Sequence, residues 1–352
     1  MITDIHLQNF RSYKDESFEF SPSVNIIVGP NGSGKTNLLE AILIAARGNS
    51  YRASDVELIA FNKPWARLEM DTEGSGMREV MLERREDGRA YKHFKLDDKP
   101  YLRLSLQRSL PVVVFEPNHL RLLTGSPEGR RQFLDDLLEQ TKPGYSSLLR
   151  RYKRILAQRN SLLKQRQVLA NQLFVWDVRL SETAALIVEA RSQISQEIDK
   201  QIEPLYMTLA QNSAKAKLSY QTLALPEHYA STLLKRLEAH RSEDIERGFT
   251  TYGPHREDLL ISLNGHLAQA TASRGETRTL LLVLKAIEAT LLEDSRNQRP
   301  LLLLDDVFSE LDGARRQALT SFLQPYQTFI TTTDADVVIQ HFTETTNIIP
   351  LG

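Results

Sequence analysis

The chain contains no cysteine, which excludes disulfides, thiolate nucleophiles and cysteine-ligated zinc and fits a reducing compartment. Net charge is nearly absent too. Its 44 Lys and Arg against 45 Asp and Glu leave −1, so there is no global pull toward nucleic acid or anionic membrane, and any polyanion contact needs a local basic patch. The eight histidines are scattered, without metal-ligand spacing. Long apolar runs are missing as well: TLLLVLKAIEATLL is interrupted by Lys285 and Glu288, far short of the ~20 apolar residues that span a bilayer. The N-terminal MITDIHLQNF carries Asp4 early and lacks the apolar core of a signal peptide. These absences point to a cytoplasmic protein with no membrane partner. What is present is 352 residues, 41% hydrophobic and 25% charged, enough for one large or two medium domains with a sizeable core.

The strongest local signal is G-x-x-x-x-G-K-T, spelled by Gly29, Pro30, Asn31, Gly32, Ser33, Gly34, Lys35 and Thr36. Glycines let successive backbone N–H groups approach and point at phosphate oxygens, forming an anion nest. Lys35 supplies a point charge for the β and γ phosphates, Thr36 a hydroxyl for Mg²⁺, and the following helix its positive N-terminal end. The context agrees. Val24 to Val28 reads as a buried strand, and Leu38, Leu39, Ile42 and Leu43 mark one face of a helix.

A phosphate loop alone does not separate kinases, GTPases, transporters and DNA motors. RPLLLLDDVFSELD, Arg299 to Asp312, narrows the choice: four leucines make a parallel-type strand, with two carboxylates at the end where α/β sheets place ligands. Asp305 would bind Mg²⁺ directly or through water, and Asp306 would orient or deprotonate the attacking water. TASRGETRTLLLVLKAIEA, from Thr271, sets a Ser-Arg-Gly turn before a long apolar-faced helix, a second phosphate-binding helix end. One triphosphate does not need both ends. They make sense together if Ser273 and Gly275 reach the γ-phosphate held by a second copy of the chain. This order of phosphate loop, signature turn, Asp pair and SELD loop resembles the ABC-type ATPases, whose two heads sandwich two nucleotides.

Between these motifs the character of the chain changes. Residues 66 to 115 alternate like strands, with glycine-containing turns, predicting antiparallel hairpins, and PVVVFEP reads as another buried strand. From Gly129 to Gln211 leucines recur at helical spacing, broken at Pro143 and Gly144, which predicts an inserted helical lobe; Thr251 onward returns to turn and strand chemistry. Inside the lobe, Arg150 to Arg166 carries seven Lys or Arg and no acid. Tyr152, Ile155, Leu156, Leu162 and Leu163 form the expected buried stripe, leaving Arg150, Arg151, Lys153, Arg154, Arg159, Lys164 and Arg166 for DNA phosphates, contacts that bind without reading sequence.

The stretches LQNFRSY, GPNGSGKTNLLEAI, SYR at Ser50 to Arg52, LLTGSPEGRRQFLD, LAQRNSLLK, YGPHREDL, SRGE and LLLLDDVFSELD occur in family order over nearly the full length. Together they resemble the RecF family of SMC-like bacterial recombination proteins. The resemblance implies an ABC-type head with a helical second lobe, an ATP-dependent homodimer, and binding to single-stranded and duplex DNA at gap junctions. It also implies slow, DNA-stimulated ATP hydrolysis and work with RecO and RecR to load RecA. Some positions depart from the pattern. Glu276 stands where the signature commonly has Gln, adding negative charge near the phosphate proposed in trans. Asp306 takes the usual glutamate position of broader ABC proteins. Thr333 takes that of the transporters' switch histidine, leaving a weaker polar contact to sense the γ-phosphate; His341 lies too far along to replace it, and FEPNHL holds no Q-loop glutamine.

The expected fold is therefore α/β, an ABC-type ATPase head of mixed sheet and antiparallel strands (1–120 and 248–352) with an inserted mainly helical lobe (121–247). The expected function is an ATP-dependent DNA-binding protein of recombinational repair and replication. The alternatives are an ATP-gated DNA-binding module or an SMC-like ATPase of another DNA-maintenance pathway. A transporter subunit would need a membrane partner and a switch histidine, and the second phosphate turn argues against a small-molecule kinase.

Overall fold

The computed structural model describes residues 1–50, 52–74, 76–165, 170–210, 213–308, 311–340, 342 and 346–352. They form two compact units, Met1–Pro117 with Glu288–Gly352, and Asn118–Ile287. The first unit opens with strands β1 (Ile2–Phe10), β2 (Tyr13–Glu19), β3 (Val24–Val28), β4 (Trp65–Thr72), β5 (Gly76–Arg84), β6 (Ala90–Leu96), β7 (Lys99–Tyr101) and β8 (Val112–Phe115). The second unit contributes β9 (Ala216–Gln221), β10 (Asp258–Leu263) and β11 (His266–Leu267). The chain then returns to the first unit with β12 (Leu301–Asp305), β13 (Thr328–Thr332) and β14 (Asn347–Pro350).

Two sheets build the first unit. One is parallel throughout, in the order β14-β3-β13-β12-β8. Its strands read VNIIV, VVVF, LLLLD and TFITT without alternation because both faces of a parallel sheet are covered; Leu301 to Leu304 and Thr328 to Thr332 are all buried. The other sheet is antiparallel, in the order β2-β1-β4-β5-β6-β7, and its strands alternate. Along β4, Ala66, Leu68 and Met70 face inward while Arg67 and Glu69 are half-buried. Those inward side chains join Leu38, Leu39, Ile42 and Leu43 of the helix Lys35–Arg47 in one core cluster. The hairpins predicted over 66–115 and the strand in PVVVFEP are therefore present. The helix that follows the phosphate loop is fixed by the burial of its apolar face.

The second unit is mainly helical, with helices Pro127–Thr141, Tyr145–Leu163, Ala170–Ala210 and Pro226–Ala239. The break at Pro143 and Gly144 is where expected: Gly144, at φ 84°, caps the start of the next helix. The unit also holds the antiparallel sheet β11-β10-β9. Its extent differs from the sequence expectation, which returned the chain to the head at residue 248. β10 pairs along its length with β9, and the Glu257 carboxylate beside it accepts hydrogen bonds from Tyr220 (2.6 Å), Tyr229 (2.7 Å) and Thr222 (2.9 Å). These long-range partners hold the segment after 248 in the helical unit.

Candidate nucleotide-binding site

The phosphate loop runs from the end of β3 at Val28 to the helix beginning at Lys35. Its glycines answer to local sterics. A Cβ on Gly29 would lie 2.4 Å from the Leu351 carbonyl oxygen and 2.7 Å from Ser33 Oγ, distances no side chain accommodates. Gly34 has φ 101°, and its carbonyl accepts a hydrogen bond from the Tyr13 hydroxyl at 3.0 Å, which ties the β1–β2 turn to the loop. Lys35 is only 9% exposed, and its Nζ donates to the carbonyls of Gly29 (2.7 Å) and Pro30 (2.8 Å). The charge is thus held over the loop rather than out in solvent.

The aspartate pair arrives from β12, which is separated from β3 by β13. Thr36 Oγ1 donates to Asp305 Oδ1 at 3.0 Å, joining residues 269 apart in sequence. The intervening strand supplies Thr331, whose Oγ1 donates to the same Asp305 oxygen at 2.7 Å and accepts from the Asp306 N–H at 3.0 Å. Asp306 sits at φ 50°, a left-handed conformation that Asp tolerates better than most residues. One threonine therefore holds the Asp305 carboxylate and the Asp306 backbone together. A cleft of about 300 Å³ is lined by Asn31, Gly32, Gly34, Lys35, Thr36, Asn37, Asp305 and Asp306. These residues fit Mg²⁺, because a hydroxyl and a carboxylate already meet at 3.0 Å, and Mg²⁺ commonly takes one or two protein oxygens and completes its shell with phosphates and water. Among the described residues no group of three or more His, Cys, Asp or Glu side chains gathers into an all-protein metal cage.

The sequence did not reveal a second layer behind the loop. Glu40, on the same helix, is fully buried, and its carboxylate accepts from Arg11 Nε (2.9 Å) and Nη2 (3.2 Å), Arg52 Nη2 (3.1 Å) and Ser50 Oγ (2.5 Å). Burial pushes its pKa up, but the hydrogen bonds from Arg11, Arg52 and Ser50 outweigh it and leave it below the usual range. Arg52 Nη2 also donates to Asn37 Oδ1 at 3.0 Å, at the rim of the cleft. The buried Glu40 carboxylate thus anchors both Arg11 and Arg52 next to the helix that follows the phosphate loop. The available signal was a Glu set among Leu38, Leu39, Ile42 and Leu43 on an apolar helix face.

Thr333 is exposed just beyond β13. Ser273 and Gly275 belong to the second unit, where the helix Arg274–Arg296 begins. There Ser273 and Glu276 form a reciprocal cap: the Glu276 carboxylate accepts from the Ser273 N–H and hydroxyl, both at 2.8 Å, and Ser273 Oγ accepts from the Glu276 N–H at 3.3 Å. Hydrogen bonds from the Ser273 backbone and then its side chain hold the Glu276 pKa below the usual range. Ser309 and Glu310 of the SELD loop, together with Tyr51 and His341, lie outside the described residues.

On the helix Tyr145–Leu163, Arg150, Arg151, Lys153 and Arg154 are exposed, as is Lys164 just past its end; Arg166 lies outside the described residues. Arg159 corrects the expectation. It has zero exposure, with Nε donating to Asp177 at 2.6 Å and Nη1 to Asp244 at 2.7 Å and Thr250 at 2.8 Å. A guanidinium enclosed by two buried carboxylates cannot reach a phosphate in solvent, so it leaves the set of candidate DNA contacts.

A parallel sheet carrying a phosphate loop, an aspartate pair two strands away, an antiparallel second sheet and a helical insertion define a P-loop head of the ABC ATPase class. The model for the RecF/RecN/SMC N terminal domain matches residues 1–349, and the chain belongs to the RecF family. The DNA replication and repair protein RecF of Heliobacterium modesticaldum is 37% identical over 343 residues, 94% of this chain and 92% of that protein. That of Bacillus subtilis is 35% identical over 352 residues, covering 95% and 94%. Among solved structures, the recombination mediator protein RecF with ATP in the RecFOR pathway superposes with a TM-score of 0.84 at 29% identity, covering 95% of this chain and 92% of that one. An Smc head bound to the C-winged helix domain of ScpA, at 17% identity and a TM-score of 0.57 over 99% of this chain and 93% of that one, shares the fold.

Proposed function

We propose that the chain is an ATP-driven DNA clamp of recombinational repair and replication. ATP with Mg²⁺ binds in the cleft between the phosphate loop and the aspartate pair, and two ATP-loaded copies close as a homodimer on DNA. Slow, DNA-stimulated hydrolysis reopens it. The observation that carries this reading is the hydrogen bond at 3.0 Å from Thr36 to Asp305, which brings the phosphate loop and the acidic strand end to one point. ATP is the nucleotide found with the solved RecF relative, and Thr36 and Asp305 would hold the Mg²⁺ that offsets phosphate charge. Lys35 would neutralise the β and γ phosphates, and Asp306 would position the attacking water. Thr333 would add a polar contact near the γ-phosphate.

Ser273 and Gly275 would complete the partner's site. Because Glu276 holds the Ser273 hydroxyl, engagement of a phosphate requires that proton to turn away from the carboxylate. DNA would lie along Arg150, Arg151, Lys153, Arg154 and Lys164, at single-strand to duplex junctions, with RecO and RecR as partners in loading RecA. DNA as the ligand implies the cytoplasm.

A complementation experiment tests the shared site. Ser273→Arg should bind ATP yet fail to dimerise, and Lys35→Ala should fail to bind ATP. Mixed together, they can assemble one competent site from an intact phosphate loop and an intact signature turn, and ATPase activity should partly recover. If the mixture stays inactive although native gels show the heterodimer, or if Ser273→Arg dimerises normally with ATP, the clamp reading fails.

A further inference from the structure

The short helix Arg241–Arg247 ends at Gly248, whose left-handed φ of 72° turns the chain sharply back while its N–H caps the Asp244 carbonyl at 2.9 Å. Two residues on, Thr250 is fully buried and pinned to the basic helix: its N–H and hydroxyl reach Asn160 Oδ1 at 2.9 and 2.7 Å, and Arg159 donates to its Oγ1 at 2.8 Å. Thr251 is pinned as well, by N–H and hydroxyl bonds to Asp244 at 3.0 and 2.6 Å. Phe249 therefore stands on backbone fixed from both sides. Its side chain nevertheless remains 37% exposed, and the Arg256 guanidinium lies 5.0 Å from its ring centroid. Such a ring cannot relax into the core by moving its loop.

The surroundings are cationic. Lys164 runs beside Gly248, its Cγ 3.5 Å from where a Cβ would stand there, and Arg256 is exposed. The adjoining helix presents Arg150, Arg151, Lys153 and Arg154 to solvent, and the sequence has no acid from Gln140 through Trp176. Of the nearby acids on the short helix, Glu243 is paired with Arg247 at 2.8 Å, Asp244 is enclosed by Arg159, and Glu246 is exposed. Cations for phosphates beside a rigidly held, partly exposed aromatic ring meet the two needs of an unpaired strand, backbone neutralisation and a platform for a base; a duplex, with its base faces covered, can use only the first.

We propose that Phe249 and Arg256 form a stacking ledge for an unpaired base, so that the basic helix and this ledge together hold single-stranded DNA. The proposal rests on the DNA-binding reading above and adds to it a residue that separates single strand from duplex.

The test is fluorescence anisotropy with the full chain and ATP, using labelled oligothymidine and a blunt duplex in parallel. Phe249→Ala should weaken oligothymidine binding about five- to 150-fold, the range for loss of one base–aromatic stack, and leave duplex affinity within about twofold. Phe249→Trp should keep the affinity, and its added fluorescence should be quenched by oligothymidine. The ledge is overturned if Phe249→Ala binds oligothymidine like the parent, if duplex binding falls in the same proportion, or if the Trp variant is not quenched. In those cases the DNA-binding reading stands as long as the parent binds DNA. A parent that binds neither probe removes both.

Discussion

Replacing Arg159 by Ala separates a structural cation from a DNA contact. In the folded protein its guanidinium faces Asp177 at 2.6 Å and Asp244 at 2.7 Å, and all three side chains have zero exposure. Burial already lifts the Asp177 pKa above the usual carboxylate range despite the pull of Arg159. Without that cation the two buried carboxylates keep, among the described residues, only Arg241, 3.8 Å from Asp177, as a nearby positive charge, and losing the buried partner costs about 3–5 kcal/mol. At about 2–4 °C per kcal/mol for a domain of 150–250 residues, melting should drop by roughly 6–20 °C. The pH dependence follows from the sign of the shift. The Asp177 pKa, already raised by burial, loses the lowering pull of Arg159 in the variant and lies further above its unfolded value, so folding takes up a proton there and stability is lost as pH rises through that interval. The deficit measured by circular dichroism melting should be smaller at pH 5 than at pH 8. Arg159→Met combined with Asp177→Asn and Asp244→Asn, which removes the charges together, should recover much of the loss. If Arg159→Ala melts within about 2 °C of the parent at both pH values while losing DNA affinity, the buried-network account is wrong and Arg159 returns to the DNA face.

Two further outcomes are expected. Asp306→Asn should bind ATP normally and turn it over about 10²-fold more slowly, the scale of a positioned acid–base group; single-turnover hydrolysis at the parent's rate would remove Asp306 from that role. Arg150→Glu with Arg154→Glu should leave ATP affinity unchanged and weaken duplex binding, with the log–log salt slope falling by about 0.9 for each phosphate no longer neutralised; an unaltered slope would return this face to ordinary solvated charge.

Local chemistry was the legible part. The phosphate loop declares itself because steric demand, anion nest and helix start fall within consecutive residues, and the antiparallel strands because Ala66, Leu68 and Met70 alternate with polar neighbours. Partnerships across the chain were not legible. Thr331 sits in TFITT like any buried strand residue, and only the placement of β13 between β3 and β12 brings its hydroxyl to Asp305 and to the Asp306 N–H. Glu40 and Arg52 are separated by a helix end and a turn, so their pairing depended on the fold of that turn. The extent of the second unit was hidden for the same reason, since the partners of Glu257 lie on β9 and on the helix Pro226–Ala239.

Arg159 is different, because its place was encoded and residue type obscured it. Tyr152, Ile155, Arg159 and Leu163 recur at the three- and four-residue steps of one helix face, and all four are buried. Reading the run by charge assigns Arg159 to solvent; reading it by period assigns it to the core. Period wins because a helix cannot rotate one residue out of its stripe without exposing the others, and each apolar side chain on that stripe contributes about 1.5–3 kcal/mol through burial. The guanidinium is therefore carried inward by its neighbours and must be met there by Asp177 and Asp244. Having been met, it also donates to the Thr250 hydroxyl, so the cation withdrawn from the proposed DNA face helps to anchor the residue next to Phe249.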